Sequence, residues 1–511
     1  MEKHNFKKQF PINIISNFVY FTINVLIGIW LVPYLIKHLG VAVYGLVPLA
    51  VSVNEYMSIA TTSFNSAVSR FLTIDLQKKN EADANKIFNT ALWSSVFFIL
   101  LILPFVIAGV YFAPKIFNIP GGYGFSSQIF FMAMVGTFYV YVLNSNFSIS
   151  SFAYNRFDLR NIVRCGDVAT RVIIMLLLFS FWNAKIWFVG LAYLGGSLIA
   201  LFGSIYFWRL LTPALRVNFH SFDTHKLGDI THMSGWVLID QIGTVLFLST
   251  ELILVNKLCG SEAGGQYAVI LLWVILLRAM VDIISSTLTP AYFTYYANGQ
   301  IENIIILLKK SIKFLGLILA APVGLICGFA SSLLSVWVGP AFAGLAPLMW
   351  LLVGHLIVSL AVMPVFAVQV TFKKVHIPAI VTLLMGIGGI ILAIFFVRQT
   401  NWGMYGVAFS MFIIYILRNI CFSSLYVAKI LKIKLRTCLI SLIPGVVSMI
   451  MISGVSLTLN YFLKPTTWPE LILYFSVICL IYIYVTIRFV LKPEDKTLLW
   501  SLIPTRQKLF V

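Results

Sequence analysis

The chain has 511 residues, of which 60% are hydrophobic and only 10% are charged, and its formal net charge is +19. A water-soluble protein of this composition would expose large apolar patches, so we exclude one. The positive charge is spread over many short loops and is not gathered in one basic domain, which argues against a nucleic-acid-binding protein.

About fourteen apolar stretches follow one another along the chain, each near the length that a helix needs to cross a hydrocarbon core of about 30 Å. The first is too long for a signal peptide and lacks a cleavage site, so it is interpreted as a retained span. The sequence therefore predicts an all-α polytopic membrane protein. The predicted spans are 11–36, 41–68, 87–112, 126–152, 166–182, 186–208, 234–256, 265–289, 310–331, 343–369, 377–397, 403–427, 437–460 and 468–490.

Lysine and arginine mark one side of this arrangement. Of the 36 cations, 28 fall at the N-terminus, on every second loop or in the tail, 6 fall on the opposite side and 2 lie within spans. The positive-inside rule then predicts that both termini are cytoplasmic. The cytoplasmic set includes Arg70, Arg156, Arg160, Arg164 and Arg171.

The two halves of the chain are related by a shift of 220 residues, although their overall identity is low. The shift places Lys37, Gly40 and Gly45 on Lys257, Gly260 and Gly265, and Pro120 and Gly124 on Pro340 and Gly344. A shift of six helices preserves orientation, so we expect two parallel six-helix lobes. The expected domains are an N-terminal lobe at 1–210, a C-terminal lobe at 234–430, an additional helix pair at 436–491 and a cytoplasmic tail at 492–511.

Few ionisable residues lie at membrane depth. Inserting one there costs a free energy of about 2.5–3.5 kcal/mol, and such a residue usually faces a cavity or a partner. In the second span, five polar residues lie along one face of a helix, and they are Glu55, Ser58, Thr62, Ser66 and Ser69. Similar stripes run through Asp240 and Glu251, and through Arg278 and Asp282. The full set is Glu55, Asp240, Glu251, Arg278, Asp282, His355 and Arg418.

Two lobes that face each other across such stripes would enclose a water-filled central cavity. The alternative is that Arg278 and Asp282, at i and i+4, neutralise each other, and that the Ser and Thr stripes serve in helix packing. Arg418 could snorkel to the cytoplasmic surface, and His355 could be a hydrogen-bonded core residue.

No catalytic motif is present. The chain has no GxxxxGK[ST] loop, no HExxH motif and no Cys/His cluster, and its six scattered cysteines are typical of small core residues. We therefore predict no enzyme activity, no metal and no cofactor.

Several stretches resemble a known family. They are "ISNFVYFTINVLIGIWLVPYLIKHLG" and "LGVAVYGL", with Leu39, Gly40, Tyr44 and Gly45, then "NSAVSRF" from Asn65 to Phe71, and "LLSVWVGPAFAG" ending at Gly344. With the fourteen-span layout, they are similar to the polysaccharide-transporter branch of the multidrug/oligosaccharidyl-lipid/polysaccharide (MOP) exporter superfamily, which includes the O-antigen flippases. The likeness covers most of the chain.

This resemblance implies a flippase of the bacterial inner membrane. It would move an undecaprenyl-diphosphate-linked oligosaccharide, such as an O-antigen repeat unit for lipopolysaccharide, from the cytoplasmic to the periplasmic leaflet by alternating access. It would act as a monomer or with other polysaccharide assembly proteins. Arg278 is the first candidate for the diphosphate contact, because an arginine can fork two phosphate oxygens. The further substrate-binding candidates are Arg70, Arg418, Asn24 and Asn17, and the candidates for H⁺ or Na⁺ coupling are Asp282, Asp240, Glu55 and Glu251.

Three alternatives stay open. A multidrug exporter of the same superfamily would carry cationic cargo and typically has twelve spans, and a lipid II flippase belongs to the same functional class. A membrane glycan polymerase would usually carry a sizeable periplasmic loop, and the predicted outer loops are about 13 residues at most.

Overall fold

The computed structural model describes residues 6–491 and residue 493, and these residues form helices and connecting turns without any strand. The predicted tail at 492–511 therefore lies almost wholly outside the described residues. The helices are α1 (Phe6–Leu39), α2 (Val41–Tyr44), α3 (Leu46–Gln77), α4 (Glu81–Ile116), α5 (Gly124–Ala153), α6 (Phe157–Phe181), α7 (Ile186–Leu211), α8 (Thr224–Leu248), α9 (Thr250–Cys259), α10 (Ser261–Ala297), α11 (Ile301–Gly328), α12 (Ala330–Val338), α13 (Ala346–Gly354), α14 (Leu356–Ser359), α15 (Pro364–Thr371), α16 (His376–Gln399), α17 (Met404–Ile416), α18 (Ser424–Ile430), α19 (Leu435–Leu463) and α20 (Trp468–Val485).

Ten of the helical segments in the described chain are long and apolar enough to cross a membrane, or twelve if each of two bent pairs forms one span. Each predicted span coincides with a helix or a broken helix, but α3 and α6 are too polar to meet this criterion. The all-helical, multi-pass prediction is confirmed, whereas the count of fourteen stays a prediction.

Several predicted spans contain a bend or another interruption of the regular α-helix. The bent pairs are α8 with α9, at 44°, and α11 with α12, at 74°. The predicted span 343–369 is divided into α13, α14 and α15, and Pro364, which cannot donate a backbone hydrogen bond, begins the last of them. A π-helical turn, Leu417–Ser423, separates α17 from α18.

Repeat-related glycines adopt the same backbone geometry. Gly40 has φ 80° and ψ 162° before α2, and Gly260, its equivalent under the 220-residue shift, has φ 99° and ψ 171° before α10. Only glycine adopts such a conformation without strain. The two positions thus require the residue type that the sequence places there.

The described residues divide into two compact units, one within Met1–Val269 and Ala379–Val407, the other within Ile270–Pro378 and Ala408–Val511. This division does not coincide with the expected lobes, whose boundaries stay a prediction. In the first unit, the core includes Phe88, Phe147 and Trp208 from α4, α5 and α7, with the rings of Phe88 and Trp208 stacked at 5.0 Å.

In the second unit, α11 packs along α19. At their crossing, a Cβ on Gly445 would lie only 2.6 Å from the carbonyl carbon of Gly316. Small residues at such a crossing let two helix backbones approach closely, which is the usual basis of helix association in lipid.

Candidate substrate-binding and coupling residues

Arg278, the first substrate-binding candidate, lies half-buried on α10 in the second unit. Its guanidinium carbon is 5.7 Å from the centre of the Tyr415 ring, within the range of a cation–π contact. Asp282 is exposed one turn further along, and no ion pair within 4.0 Å joins the two side chains in the described chain. The two side chains therefore form no direct ion pair, and whether their charges offset each other stays a prediction.

Tyr415 also contacts His355. The two rings stack at 4.8 Å with an interplanar angle of 16°, and His355 is buried. Its Nδ1 lies 3.1 Å from the Oγ of Ser359. His355 is thus a hydrogen-bonded core residue, as in the alternative interpretation, and it packs on the same ring that Arg278 contacts.

Arg418 lies in the π-helical turn Leu417–Ser423, a kind of local distortion that is frequent at functional sites. Its guanidinium carbon lies 4.7 Å from the ring centre of Phe366, and its Nη1 donates to Oδ1 of Asn419 over 3.1 Å. The side chain is therefore fixed against protein in the second unit, rather than extended freely towards a surface.

Three of the four predicted coupling carboxylates lie in the first unit, and their environments differ. Glu55 on α3 and Asp240 on α8 are exposed. Glu251 is only 2% exposed and accepts a hydrogen bond from the Tyr267 hydroxyl. The bend after α8 separates Glu251 from Asp240, so they do not share one straight stripe.

The polar face of α1 packs against α6. Asn17 accepts a hydrogen bond of 2.7 Å from the amide of Asn161, and the amide of Asn24 donates to the backbone oxygen of Tyr20 over 2.8 Å. Both asparagines predicted to bind substrate thus have intramolecular partners. Arg70 is exposed near the end of α3, where its Nη1 lies 3.7 Å from the sulfur of Met233.

A buried ion pair was missed because Arg171 was assigned to the cytoplasmic set. Arg171 lies within α6 and donates to both carboxylate oxygens of Asp167, over 2.7 and 2.6 Å. Tyr141 also donates to Asp167 over 2.6 Å, and Arg171 lies 4.5 Å from the ring centre of Tyr193. Asp167 and Arg171 are four residues apart, and that i,i+4 spacing is the sequence signal that could have revealed the pair.

Several helix ends that the cation pattern predicts to lie on the outer side meet at a junction within the first unit. A Cβ on Gly45 would lie 2.7 Å from the backbone nitrogen of Gly265, so each glycine contacts its own equivalent under the 220-residue shift. Beside them, Asn118 donates to the backbone oxygen of Asn256 over 2.6 Å, and Lys257 donates to the backbone oxygen of Ile116 over 2.6 Å. We call these six residues the outer junction.

Comparisons with known proteins agree with this architecture. The family model described as "Polysaccharide biosynthesis protein" matches residues 12–296. The chain is 32% identical over 468 residues to the uncharacterized membrane protein EpsK of Bacillus subtilis (strain 168), covering 91% of this chain and 92% of that protein.

Solved structures of two transporter types share the fold. The lipid II flippase MurJ in an inward closed conformation is 15% identical and matches with a TM-score of 0.67, over 94% of this chain and 99% of that chain. An inward-facing multidrug resistance MATE family transporter of the MOP superfamily is 13% identical and matches with a TM-score of 0.65, over 81% of this chain and 95% of that chain.

Proposed function

The chain belongs to the family of polysaccharide biosynthesis proteins and has the fold of the MOP transporters, and from this premise we propose that it is a flippase for a polyprenyl-diphosphate-linked oligosaccharide. In this proposal, the glycan crosses from the cytoplasmic to the outer leaflet by alternating access, in the bacterial cytoplasmic membrane, with both termini in the cytoplasm. Undecaprenyl diphosphate is the proposed carrier, and the glycan is a polysaccharide repeat unit of the O-antigen type.

One observation carries the proposal beyond family membership: a guanidinium at membrane depth that makes no direct ion pair with a carboxylate of the described residues. Arg278 lies midway along α10 and contacts the π face of Tyr415. An arginine in hydrocarbon is costly when no carboxylate binds it directly, so its retention favours a role with an anionic ligand. A diphosphate offers adjacent oxygens that the planar guanidinium can bind through two hydrogen bonds.

We further propose that the exposed carboxylates of Asp282, Asp240 and Glu55 are the residues through which a proton or sodium gradient drives transport. A carboxylate that takes up a cation in one conformation and releases it in another supplies the differential affinity that a gradient requires. The Asp282→Asn variant is therefore expected to lose gradient-driven transport while it retains substrate binding.

The multidrug alternative is supported less well. The MATE match covers 81% of this chain, whereas the flippase match covers 94%. Cationic cargo would also be repelled by Arg278.

The experiment replaces Arg278 in the cell that makes the polysaccharide. We expect Arg278→Ala to reduce surface polysaccharide at least tenfold and Arg278→Lys to reduce it less, because lysine keeps the charge but loses the fork. The matched control is Arg398→Ala, at the far end of α16, where the side chain is exposed. Normal polysaccharide in an Arg278→Ala strain with normal protein abundance would contradict the proposed role of Arg278.

A further inference from the structure

Four arginines lie on α6 or at its start, and only two of them are neutralised within the protein. Arg156 and Arg171 each bind a carboxylate a few residues away, over 2.9 and 2.6 Å. Arg160 and Arg164 form no ion pair in the part of the chain that the structure describes. We call Arg160 and Arg164 the arginine pair, and the proposed function so far gives these two residues no role.

The arginine pair lies on the face of α6 that turns towards neighbouring helices. At 3.6 residues per turn, Arg160, Arg164, Asp167 and Arg171 fall within about 60° of arc. The buried ion pair on this stripe contacts tyrosines of α5 and α7. The arginine pair continues the same stripe towards the start of the helix, so it is directed to the interior of the first unit rather than to the surrounding lipid.

The start of this stripe is accessible to a ligand. Arg160 is half-buried and Arg164 is exposed. The guanidinium carbon of Arg164 lies 5.4 Å from the ring centre of Tyr20 on α1, within the range of a cation–π contact. This contact positions the guanidinium without neutralising its charge, so the charge stays available to an anion.

The two charges of the arginine pair also act on each other. Side chains at i and i+4 are neighbours on a helix, and like charges at that spacing are unfavourable. Burial, and next the charge of Arg164, lower the pKa of Arg160, which precedes the predicted span 166–182, to about 10. An anion bound to both side chains would remove this repulsion, whereas a neutral or cationic ligand would not.

Two adjacent guanidiniums match the chemistry of a diphosphate. Each guanidinium presents its N–H donors in a planar fork that can bind two oxygens of one phosphate. A diphosphate diester carries two negative charges on neighbouring phosphates, so it can engage both forks at once. A phospholipid headgroup with a single phosphodiester would leave one of the two charges without a partner.

We propose that the arginine pair is a second diphosphate site, distinct from Arg278, at the end of the first unit that the cation pattern predicts to be cytoplasmic. It binds the diphosphate group of a polyprenyl-linked lipid on the side from which the cargo is taken. The identity of the carrier rests on the proposed function, but the site itself requires only a lipid-borne diphosphate.

The test uses purified full-length protein with Arg278→Ala, so that the residue already proposed to bind the diphosphate does not contribute. The protein is held in phosphatidylcholine nanodiscs, and binding of fluorescent farnesyl diphosphate is measured by anisotropy against empty nanodiscs. Arg160→Gln combined with Arg164→Gln is expected to lower the affinity at least tenfold. The matched control, Arg209→Gln with Arg216→Gln, removes the same charge from exposed arginines of the first unit and is expected to change the affinity less than twofold.

Competitors and a stability measurement identify the cause of any loss. Inorganic diphosphate is expected to displace the probe, whereas phosphatidylglycerol added to the nanodiscs is expected to change the affinity less than twofold. The thermal midpoint of the pair variant is expected to equal or exceed that of its parent, because the substitutions remove a repulsion. Arg164→Gln alone, at the exposed position, is expected to lose part of the affinity.

Three results would overturn the proposal. They are an affinity that the pair variant leaves unchanged, an equal loss in the pair variant and the charge-matched control, and displacement of the probe by phosphatidylglycerol, which would make the pair a general headgroup site. The outcome is separate from that of the proposed function. Probe binding by the arginine pair in a protein that transports no glycan would contradict the flippase alone, whereas transport by a protein whose probe binding ignores the pair would contradict this site alone.

Discussion

The ion pair of Asp167 and Arg171 offers a direct test of how charge is held inside α6. The Arg171→Met variant keeps an unbranched apolar side chain and removes the guanidinium. Asp167, whose side chain is 8% exposed, would then keep only the hydrogen bond from Tyr141.

The structure sets the size of the expected effect. Arg171 donates through both Nε and Nη2 to Asp167, so both carboxylate oxygens lose a charge-assisted hydrogen bond. Removing one partner of a buried pair typically costs about 3–5 kcal/mol, because the other charge is left uncompensated. Replacing both partners by apolar residues is often nearly neutral. We therefore expect Arg171→Met to destabilise the protein by about 3 kcal/mol or more, and Asp167→Leu combined with Arg171→Met to recover most of that loss.

Equilibrium unfolding in mixed micelles measures the free energy of unfolding of Arg171→Met, of Asp167→Leu and of the variant with both changes. A double-mutant cycle then isolates the coupling between the two side chains. Gly196→Ala tests the same ion pair by a steric change, because its added Cβ would lie 2.5 Å from Oδ1 of Asp167 and 2.6 Å from Cγ of Arg171. The control is Gly109→Ala, which adds the same methyl group in open space. An Arg171→Met protein as stable as the unmodified chain would refute this reasoning.

The remaining predictions concern the outer junction and the start of α6. In a cysteine-free background, a disulfide between Asn118→Cys and Asn256→Cys is expected to arrest transport until reductant is added; uninterrupted transport with complete cross-linking would show that these residues need not separate. Gly265→Ala is expected to lower stability by about 1–3 kcal/mol in the unfolding assay, because its Cβ would lie 2.1 Å from the backbone oxygen of Val41. Partial burial opposes ionisation of Asp158, but the hydrogen bonds and charge of Arg156 hold the pKa of that carboxyl below its ordinary value. The resulting stabilisation is full above the unfolded pKa of about 4 and is lost as the pH falls through the lower pKa of the folded state. Arg156→Gln is therefore expected to reduce the thermal midpoint at pH 7 and to reduce it much less at pH 3. An equal reduction at both pH values would contradict this expectation.

Hydropathy and cation placement were sufficient to predict an all-helical membrane protein, and its motifs were sufficient to identify the family. These features depend on local composition, which a sequence displays directly. The 220-residue shift also pairs Gly40 with Gly260, and both have the positive φ angles that only glycine adopts readily.

The bends and buried pairs could not be predicted in the same way. The break between α8 and α9 falls at Ser249, where no proline or glycine marks it, and it separates Glu251 from the stripe that contains Asp240. Arg171 was counted with the cytoplasmic cations because hydropathy counts each charge alone, whereas in the folded chain Asp167 offsets its cost. Asn17 was assigned to a substrate face because its partner Asn161 is 144 residues away in sequence.

The most direct test of the proposed flippase is transport by the purified protein in vesicles that contain a fluorescent polyprenyl-diphosphate-linked oligosaccharide. Transfer between leaflets is followed by the fraction of glycan that an added glycosidase can reach. We expect the unmodified chain to expose the glycan and to leave it chemically unchanged, and Arg278→Ala to slow the transfer at least tenfold. Folded protein that moves no lipid-linked glycan under proton or sodium gradients of either direction, yet moves organic cations, would contradict the proposal.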